Sequence, residues 1–231
     1  MSAQRALTAR ASLMQTLEAA SFDCLPDPWW KRPLDVVTAA ALLLLSSPLW
    51  LLAALVIRFD SPGPVFHVQP AVGKGGRVFR FYKFRTMRAG SDDGRHRHYV
   101  RAFVRGEPVD KEGGVYKMAR DPRITGVGKL LRRTSLDELP QLINVLKGDM
   151  SIVGPRPPLP YEYELYDDRA RQRLAVRPGI TGLYQITERS RAPFERMVEI
   201  DIDYVRKRSL WLDLSIMLWT PAAMLLARGA Y

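Results

Sequence analysis

Between Val36 and Ile57 the chain carries no charged side chain in 22 consecutive positions. Once helical, at about 1.5 Å of rise per residue, such a run is long enough to cross the roughly 30 Å hydrocarbon layer of a bilayer. Ser46-Ser47-Pro48 interrupts it, because proline lacks the N–H that would bond the carbonyl four residues back and its ring crowds that carbonyl. Neighbouring serine hydroxyls are able to satisfy the freed oxygen. Lys31 and Arg32 precede the run and Arg58 follows it, so the positive-inside rule assigns no crossing direction. The residues leave three readings open: a kinked helical hairpin that enters and leaves by one face, a spanning helix, and a buried core helix. Pro26-Asp27-Pro28-Trp29-Trp30-Lys31-Arg32-Pro33 combines helix breakers with aromatic and basic side chains suited to lipid headgroups, and reads as the approach to a membrane.

The remaining chain is folded. Its 231 residues are 47% apolar, enough for a core in one domain with an appendage. A formal net charge of +11 calls for an anionic partner, whether nucleic acid, an anionic lipid surface or a phosphorylated metabolite. Cys24 is the sole cysteine, which excludes an internal disulfide, a cysteine-based zinc site and a Cys-x-x-Cys redox pair, and fits a reducing compartment. His96-Arg97-His98, among arginines, reads as a solvated loop rather than a metal site.

Residues 1–28 form an N-terminal extension in which Leu7, Ala11, Met14 and Leu17 share one helical face; no apolar h-region follows the start, so it does not read as a secretory signal. Residues 29–58 read as the membrane segment, and 59–231 as a folded domain that ends in the apolar C-terminal stretch. Val65–Val68 and Val78–Phe84 read as strands of a hairpin around Gly73-Lys74-Gly75-Gly76, a turn without the Gly-Lys-Ser/Thr spacing of a P-loop. Residues 89–114 read as loop, and helices are expected near 126–133, 139–147, 160–174 and 193–207. The apolar C-terminal stretch from Leu210, broken by Asp213 and Pro221 and carrying Trp211 and Trp219, reads as an interfacial helix. The fold expected is α+β, mostly helical with a small β-hairpin, an N-terminal apolar membrane helix and interfacial amphipathic helices.

The chemistry points to Thr134-Ser135-Leu136-Asp137-Glu138-Leu139-Pro140-Gln141. Ser135 and Glu138 have the spacing of a capping box, which accounts for one acid. Asp137 then sets a second carboxylate near a helix start, where the dipole favours the ionised and nucleophilic form. Two adjacent carboxylates repel phosphate unless Mg²⁺ or arginines compensate. Arg132 and Arg133 precede them, Arg156 lies among prolines in Gly154-Pro155-Arg156-Pro157-Pro158, and Arg177-Pro178-Gly179-Ile180-Thr181-Gly182 follows. A guanidinium held by a rigid loop loses little entropy when it forks onto phosphate. Lys83 and Arg85 alternate with Phe84 at a strand end, a pattern that aims two cations to one side.

Lys83-Phe84-Arg85-Thr86-Met87, the block from Thr134 to Ser151, Val153-Gly154-Pro155-Arg156-Pro157 and Arg177 to Gly182 together resemble the bacterial sugar transferase family, the monotopic phosphoglycosyl transferases, over about residues 30 to 225. The resemblance implies transfer of a sugar 1-phosphate from a UDP-sugar to undecaprenyl phosphate, giving undecaprenyl diphosphate sugar and UMP, the first membrane step of glycoconjugate or exopolysaccharide assembly. It implies that Asp137 is the nucleophile of a ping-pong reaction through an aspartyl phosphosugar, that Glu138 assists, and that Mg²⁺ binds at both. It associates Lys83, Arg85, Arg132, Arg156 and Arg189 with substrate. It also favours the re-entrant reading, with the helix broken at Ser47-Pro48, both ends of the segment on the cytoplasmic face of the inner membrane, and phospholipid as a partner. A homo-oligomer stays open.

Two departures stand out. Gln69-Pro70-Ala71-Val72-Gly73 lacks the family's usual arginine, and Thr187-Glu188-Arg189 replaces Asn-Gly-Arg. The rival from another class is a membrane-tethered scaffold that binds polyanions without catalysis. A nucleic-acid partner is not expected, since no helix-turn-helix, zinc or RNA-recognition signature occurs.

Overall fold

A computed structural model describes residues 24–88, 94–107, 121, 123–188 and 192–226. Residues 1–23, which hold nearly all of the expected N-terminal helix, and Arg189 lie outside the described residues.

The apolar run is the centre of one helix, α1 (Lys31–Asp60), of 30 residues, continuous through Pro48, so the break expected at Ser47-Pro48 does not occur. The carbonyl that Pro48 leaves without its usual partner is that of Leu44, and Ser47 Oγ donates to it at 2.8 Å, while Ser46 Oγ donates to Leu42 O at 2.6 Å. The serines thus restore what the proline removes, as their placement predicts. Leu42, Leu44, Leu45, Leu49, Leu51, Leu52 and Leu55 of α1 remain exposed. The helix is long and apolar enough to cross a membrane by length and composition.

Both ends of α1 dock on the folded domain. At its start, Arg32 donates to the carbonyls of Val145 and Leu146 at 2.5 and 2.7 Å, closing the C-terminal end of α4 (Gln141–Lys147). Lys31 is buried: Nζ donates to Val153 O at 2.9 Å and pairs with Asp213, whose other oxygen lies 2.9 Å from the Tyr204 hydroxyl. Asp35 Oδ1 accepts from Ser151 Oγ and Ile152 N at 2.8 and 2.9 Å. Neither Lys31 nor Arg32 is therefore the free headgroup cation its position suggested. At the far end, Ala53 and Ile57 pack with Phe84 and Leu131.

The expected hairpin is present as β1 (Phe66–Val72) and β2 (Val78–Phe84), antiparallel with Phe66 opposite Phe84. β1 is longer than expected and takes Pro70 into the ladder opposite Arg80. Asn144, wholly buried on α4, pairs with β2 as a strand would: its Nδ2 donates to Arg80 O at 2.6 Å and its Oδ1 accepts from Tyr82 N at 3.2 Å. A second, parallel pair joins β3 (Ser151–Val153) to β4 (Gly179–Thr181).

Three segments differ from expectation. The stretch read as loop contains α2 (Gly94–Val104), whose Phe103 packs edge-on against Phe194. The 160–174 helix is broken into α5 (Pro160–Tyr163), α6 (Asp168–Arg171) and a 3₁₀ turn at Gln172–Ala175, because Asp167 caps α6 by accepting from Ala170 N. The helix expected from 139 starts at Gln141. Around these, α3 (Gly126–Arg133), α7 (Leu183–Thr187), α8 (Phe194–Lys207) and α9 (Leu210–Leu226) complete the described chain. Asp213, read as a break in the apolar α9, is fully buried against Lys31, while Trp211, Leu218 and Trp219 share the exposed face.

Removing one partner of a buried ion pair strands the other charge, at a cost of about 3–5 kcal/mol, whereas an apolar replacement of both avoids that penalty. Asp213→Ala should therefore lower the unfolding midpoint markedly, and Lys31→Met with Asp213→Leu should restore most of the loss, measured by thermal unfolding in detergent.

Candidate active site

The acidic pair sits in a 3₁₀ turn, Leu136–Glu138, between α3 and α4. Ser135 before it has φ of 55°, in the left-handed region, and makes no capping hydrogen bond. The capping box suggested by spacing does not form, so Glu138 is not spent on closing a helix. A non-glycine residue in that region is strained by about 1–3 kcal/mol, and such strain concentrates at functional sites. Here it turns the chain so that Asp137 points inward and Glu138 toward Lys83, whose Nζ lies 3.5 Å from Glu138 Oε1. Lys83 comes from β2, with Phe84 beside it buried on the opposite side, as strand alternation requires.

Asp137 is 8% exposed and forms no ion pair among the described residues. Burial pushes its carboxyl up to about 6; Lys83 and Arg132 oppose that shift and the neighbouring Glu138 charge adds to it. Arg132 reaches over from α3, its Nε donating to Thr86 Oγ1 at 2.9 Å, and burial pulls it below the usual guanidinium range. α3 lies so close to the 86 backbone that a Cβ on Gly128 would stand 2.0 Å from Thr86 O, so a glycine is required there. Arg156 is exposed and makes no hydrogen bond or ion pair with a described residue, yet its charge is felt by Arg132 and Glu162. Its loop is held by backbone packed against backbone: a Cβ at Gly154 would meet Arg177 O at 2.5 Å, and one at Gly182 would meet Gly154 O at 2.3 Å.

The structure thus gathers Asp137, Glu138, Lys83, Arg132 and Arg156 around one place. Arg85 is elsewhere. Its guanidinium donates to Pro62 O and Ser61 O at 2.7 and 2.6 Å and to Ile57 O at 3.3 Å, clamping the exit of α1. β2 ends at Phe84, so strand alternation no longer governs position 85. Arg177 is likewise committed, to Gly148 O and Asp27, and Arg133 faces outward. Glu162, which sequence reasoning missed, accepts from Leu159 N at 3.1 Å; burial raises it, against Arg156, Arg173 and Lys83. Asp121 was also missed: Arg123 forks onto both its oxygens and holds its carboxyl below the usual range.

Among the described residues no three His, Cys, Asp or Glu side chains cluster as a metal site. Two adjacent carboxylates still fit Mg²⁺, which is commonly held by one or two carboxylates together with substrate phosphates and water.

Because the Asp137 carboxyl binds its proton more tightly folded, at about 6, than at its ordinary 3.8, ionisation opposes folding. The penalty is absent below pH 4, grows between 4 and 6 and is complete above 6. Asp137→Asn should stabilise the protein at pH 7.5 by up to about 3 kcal/mol, and the gain should vanish below pH 4 in paired thermal melts.

The sequence model of a family described as bacterial sugar transferase matches residues 27–227. The exopolysaccharide production protein ExoY of Rhizobium meliloti is 42% identical over 203 residues, covering 87% of this chain and 88% of ExoY. The UDP-glucose:undecaprenyl-phosphate glucose-1-phosphate transferase of Caulobacter vibrioides is 43% identical over 210 residues, 87% of this chain and 72% of that protein. The galactosyl transferase CpsE of Streptococcus agalactiae is 43% identical over 201 residues, and there the chain spans only 43% of its relative. With a family match across nearly all of its length, the chain belongs to the bacterial sugar transferase family.

Proposed function

We propose that this protein transfers a sugar 1-phosphate from a UDP-sugar to undecaprenyl phosphate at the cytoplasmic face of the membrane, through a covalent intermediate on Asp137. The observation that carries the reading is a buried carboxylate, unpaired among the described residues, at the end of a strained turn and flanked by Glu138, Lys83 and Arg132, with the charge of Arg156 felt at Arg132. Relatives named for undecaprenyl-phosphate sugar phosphotransfer support it.

In the first step an Asp137 carboxylate oxygen attacks the sugar-bearing phosphorus of the donor; the bond to the bridging oxygen breaks and UMP leaves with the electron pair. In the second, a phosphate oxygen of undecaprenyl phosphate attacks the acyl phosphate and returns the carboxylate. Carboxylate nucleophiles divide one displacement into two easier ones, and positioning with cationic stabilisation supplies most of the catalysis in phosphoryl transfer. Lys83 and Arg132 neutralise charge beside the nucleophile, and Arg156, free of partners, forks onto donor phosphate. Mg²⁺, held by Asp137 and Glu138, would neutralise diphosphate oxygens and the departing charge.

The same reading makes α1 re-entrant. Its start is fixed through Lys31, Arg32 and Asp35 and its exit through Arg85, both to one domain, while its middle presents leucines outward. The exposed face of α9, with Trp211 and Trp219, fits the bilayer surface.

Asp137→Asn should abolish UMP release from the cognate UDP-sugar, and mass spectrometry of wild type given donor alone should find a phosphosugar on Asp137. Full activity in the variant would overturn the mechanism, and UMP production that survives chelation would remove Mg²⁺ from it. Metal-independent, Asp137-independent polyanion binding with no turnover would instead favour the scaffold. The rate of adduct formation should fall in acid with a midpoint near 6, since only the ionised carboxylate attacks. For topology, Trp29→Cys and Phe59→Cys in a Cys24→Ser background should both label from the cytoplasmic side. Labelling of either from the periplasm contradicts the re-entrant seat.

A further inference from the structure

The outer side of α3 carries two cations with no counter-ion. Lys129 and Arg133 are exposed, one helical turn apart, and neither side chain bonds or pairs with a described residue. Between them stands Leu130, 59% exposed. Leu131, turned the other way, is buried against Ala53 and Ile57 of α1. The apolar surface of α1 runs up to that contact through Leu51, Leu52 and Leu55 and ends at Arg58 and the exposed Phe59.

A bilayer that covers the leucines of α1 therefore has its surface where α3 is packed. Water explains the two cations but not the leucine, and hydrocarbon explains the leucine but not the cations; the boundary between acyl chains and phosphate explains all three. A zwitterionic surface offers no net attraction, whereas an anionic one contributes about 1 kcal/mol per nearby Lys or Arg.

We propose that Lys129, Leu130 and Arg133, continued by Arg58, form a docking surface for anionic phospholipid headgroups, with Leu130 set between the acyl chains. The inference rests on the membrane seat proposed above. It bears on catalysis through the chain itself: Arg133 is followed by Thr134, the strained Ser135 and then the acidic turn, so headgroup contact on α3 fixes the height of Asp137 above the bilayer.

The test uses the full chain in nanodiscs of phosphatidylcholine with a minor fraction of phosphatidylglycerol, and native mass spectrometry of the lipids it retains. Wild type should retain phosphatidylglycerol well above its share in the disc. Lys129→Gln with Arg133→Gln should cut that preference about fivefold per charge removed, high salt should do the same, and Lys129→Arg with Arg133→Lys should keep it. Matched melting curves check that the exposed substitutions leave the fold intact. Lipid retained without preference, or a preference undiminished in the glutamine variant, overturns the inference alone. Retention of no phospholipid by wild type removes the membrane seat. Because no nucleotide sugar is present, neither outcome depends on the transfer chemistry.

Discussion

The architecture hangs on the Lys31 ammonium. It is buried, bonds the Val153 carbonyl, and pairs with Asp213, so one group joins the start of the apolar helix to β3 and α9, with Tyr204 of α8 alongside. A charge taken out of water is tolerated only where geometry and hydrogen bonds compensate, and here the compensating groups come from three elements. That makes the contact a poor source of net stability but a strong specifier, because any other docking of α1 leaves a bare ammonium or a bare carboxylate inside. Asp35, one turn on, repeats the device by taking the hydroxyl of Ser151 and the amide of Ile152. Between them they set β3, and β3 leads into Gly154 and the Arg156 loop. The apolar helix and the cationic rim of the site are thereby placed by the same few polar groups.

Within the site the opposition is between burial and charge. For the nucleophilic role proposed above, desolvation alone would keep Asp137 protonated and useless, while an exposed, fully screened aspartate would be ionised but weaker and poorly aimed. Lys83 and Arg132 oppose the effect of burial, leaving a carboxyl raised to about 6 that is largely ionised at neutral pH. Ser135 enforces the aim: a relaxed backbone there would continue into α4 with Glu138 closing its first turn. Strain at Ser135 and desolvation of Asp137 two positions on are both costs to folding, of the kind that concentrates at functional sites.

What was legible in the chain follows from how local each determinant is. The hairpin, the apolar helix and the serine repair of Pro48 depend on strand period, hydropathy and spacings of a few residues, whereas Lys83 was tied to the acids, 55 positions on, only by the family resemblance. Arg85, Arg177 and Lys31 look in sequence like the cations gathered beside Asp137 and Glu138. Their partners decide otherwise: Lys31 meets Asp213 across 182 positions and Arg177 meets Asp27 across 150. No local pattern announces such pairings. The parallel β3–β4 contact was hidden for the same reason, its strands being three residues each, although Gly154, Gly179 and Gly182 mark the close approach. Glu162 gave no signal because its spacing reads as an ordinary first-turn acid. The 160–174 helix failed at Asp167, a cap residue that a periodicity argument passes over.

β2 shows how the two halves of the problem meet. Lys83 turns to the acids, Phe84 turns to α1, stacking on Phe66 and meeting Trp50 edge-on, and Arg85 holds the carbonyls where α1 ends. Three consecutive residues thus touch Glu138, the apolar helix and its exit. An enzyme that takes a donor from water and an acceptor from lipid must hold one carboxylate at a fixed distance from the boundary between them, and a short rigid strand does this better than a loop. Asn144 stiffens it further by replacing a missing neighbour strand with its own amide. Loosening that amide would shift Lys83 relative to Glu138 without touching substrate, so its effect would fall on the rate of the chemical step more than on donor affinity.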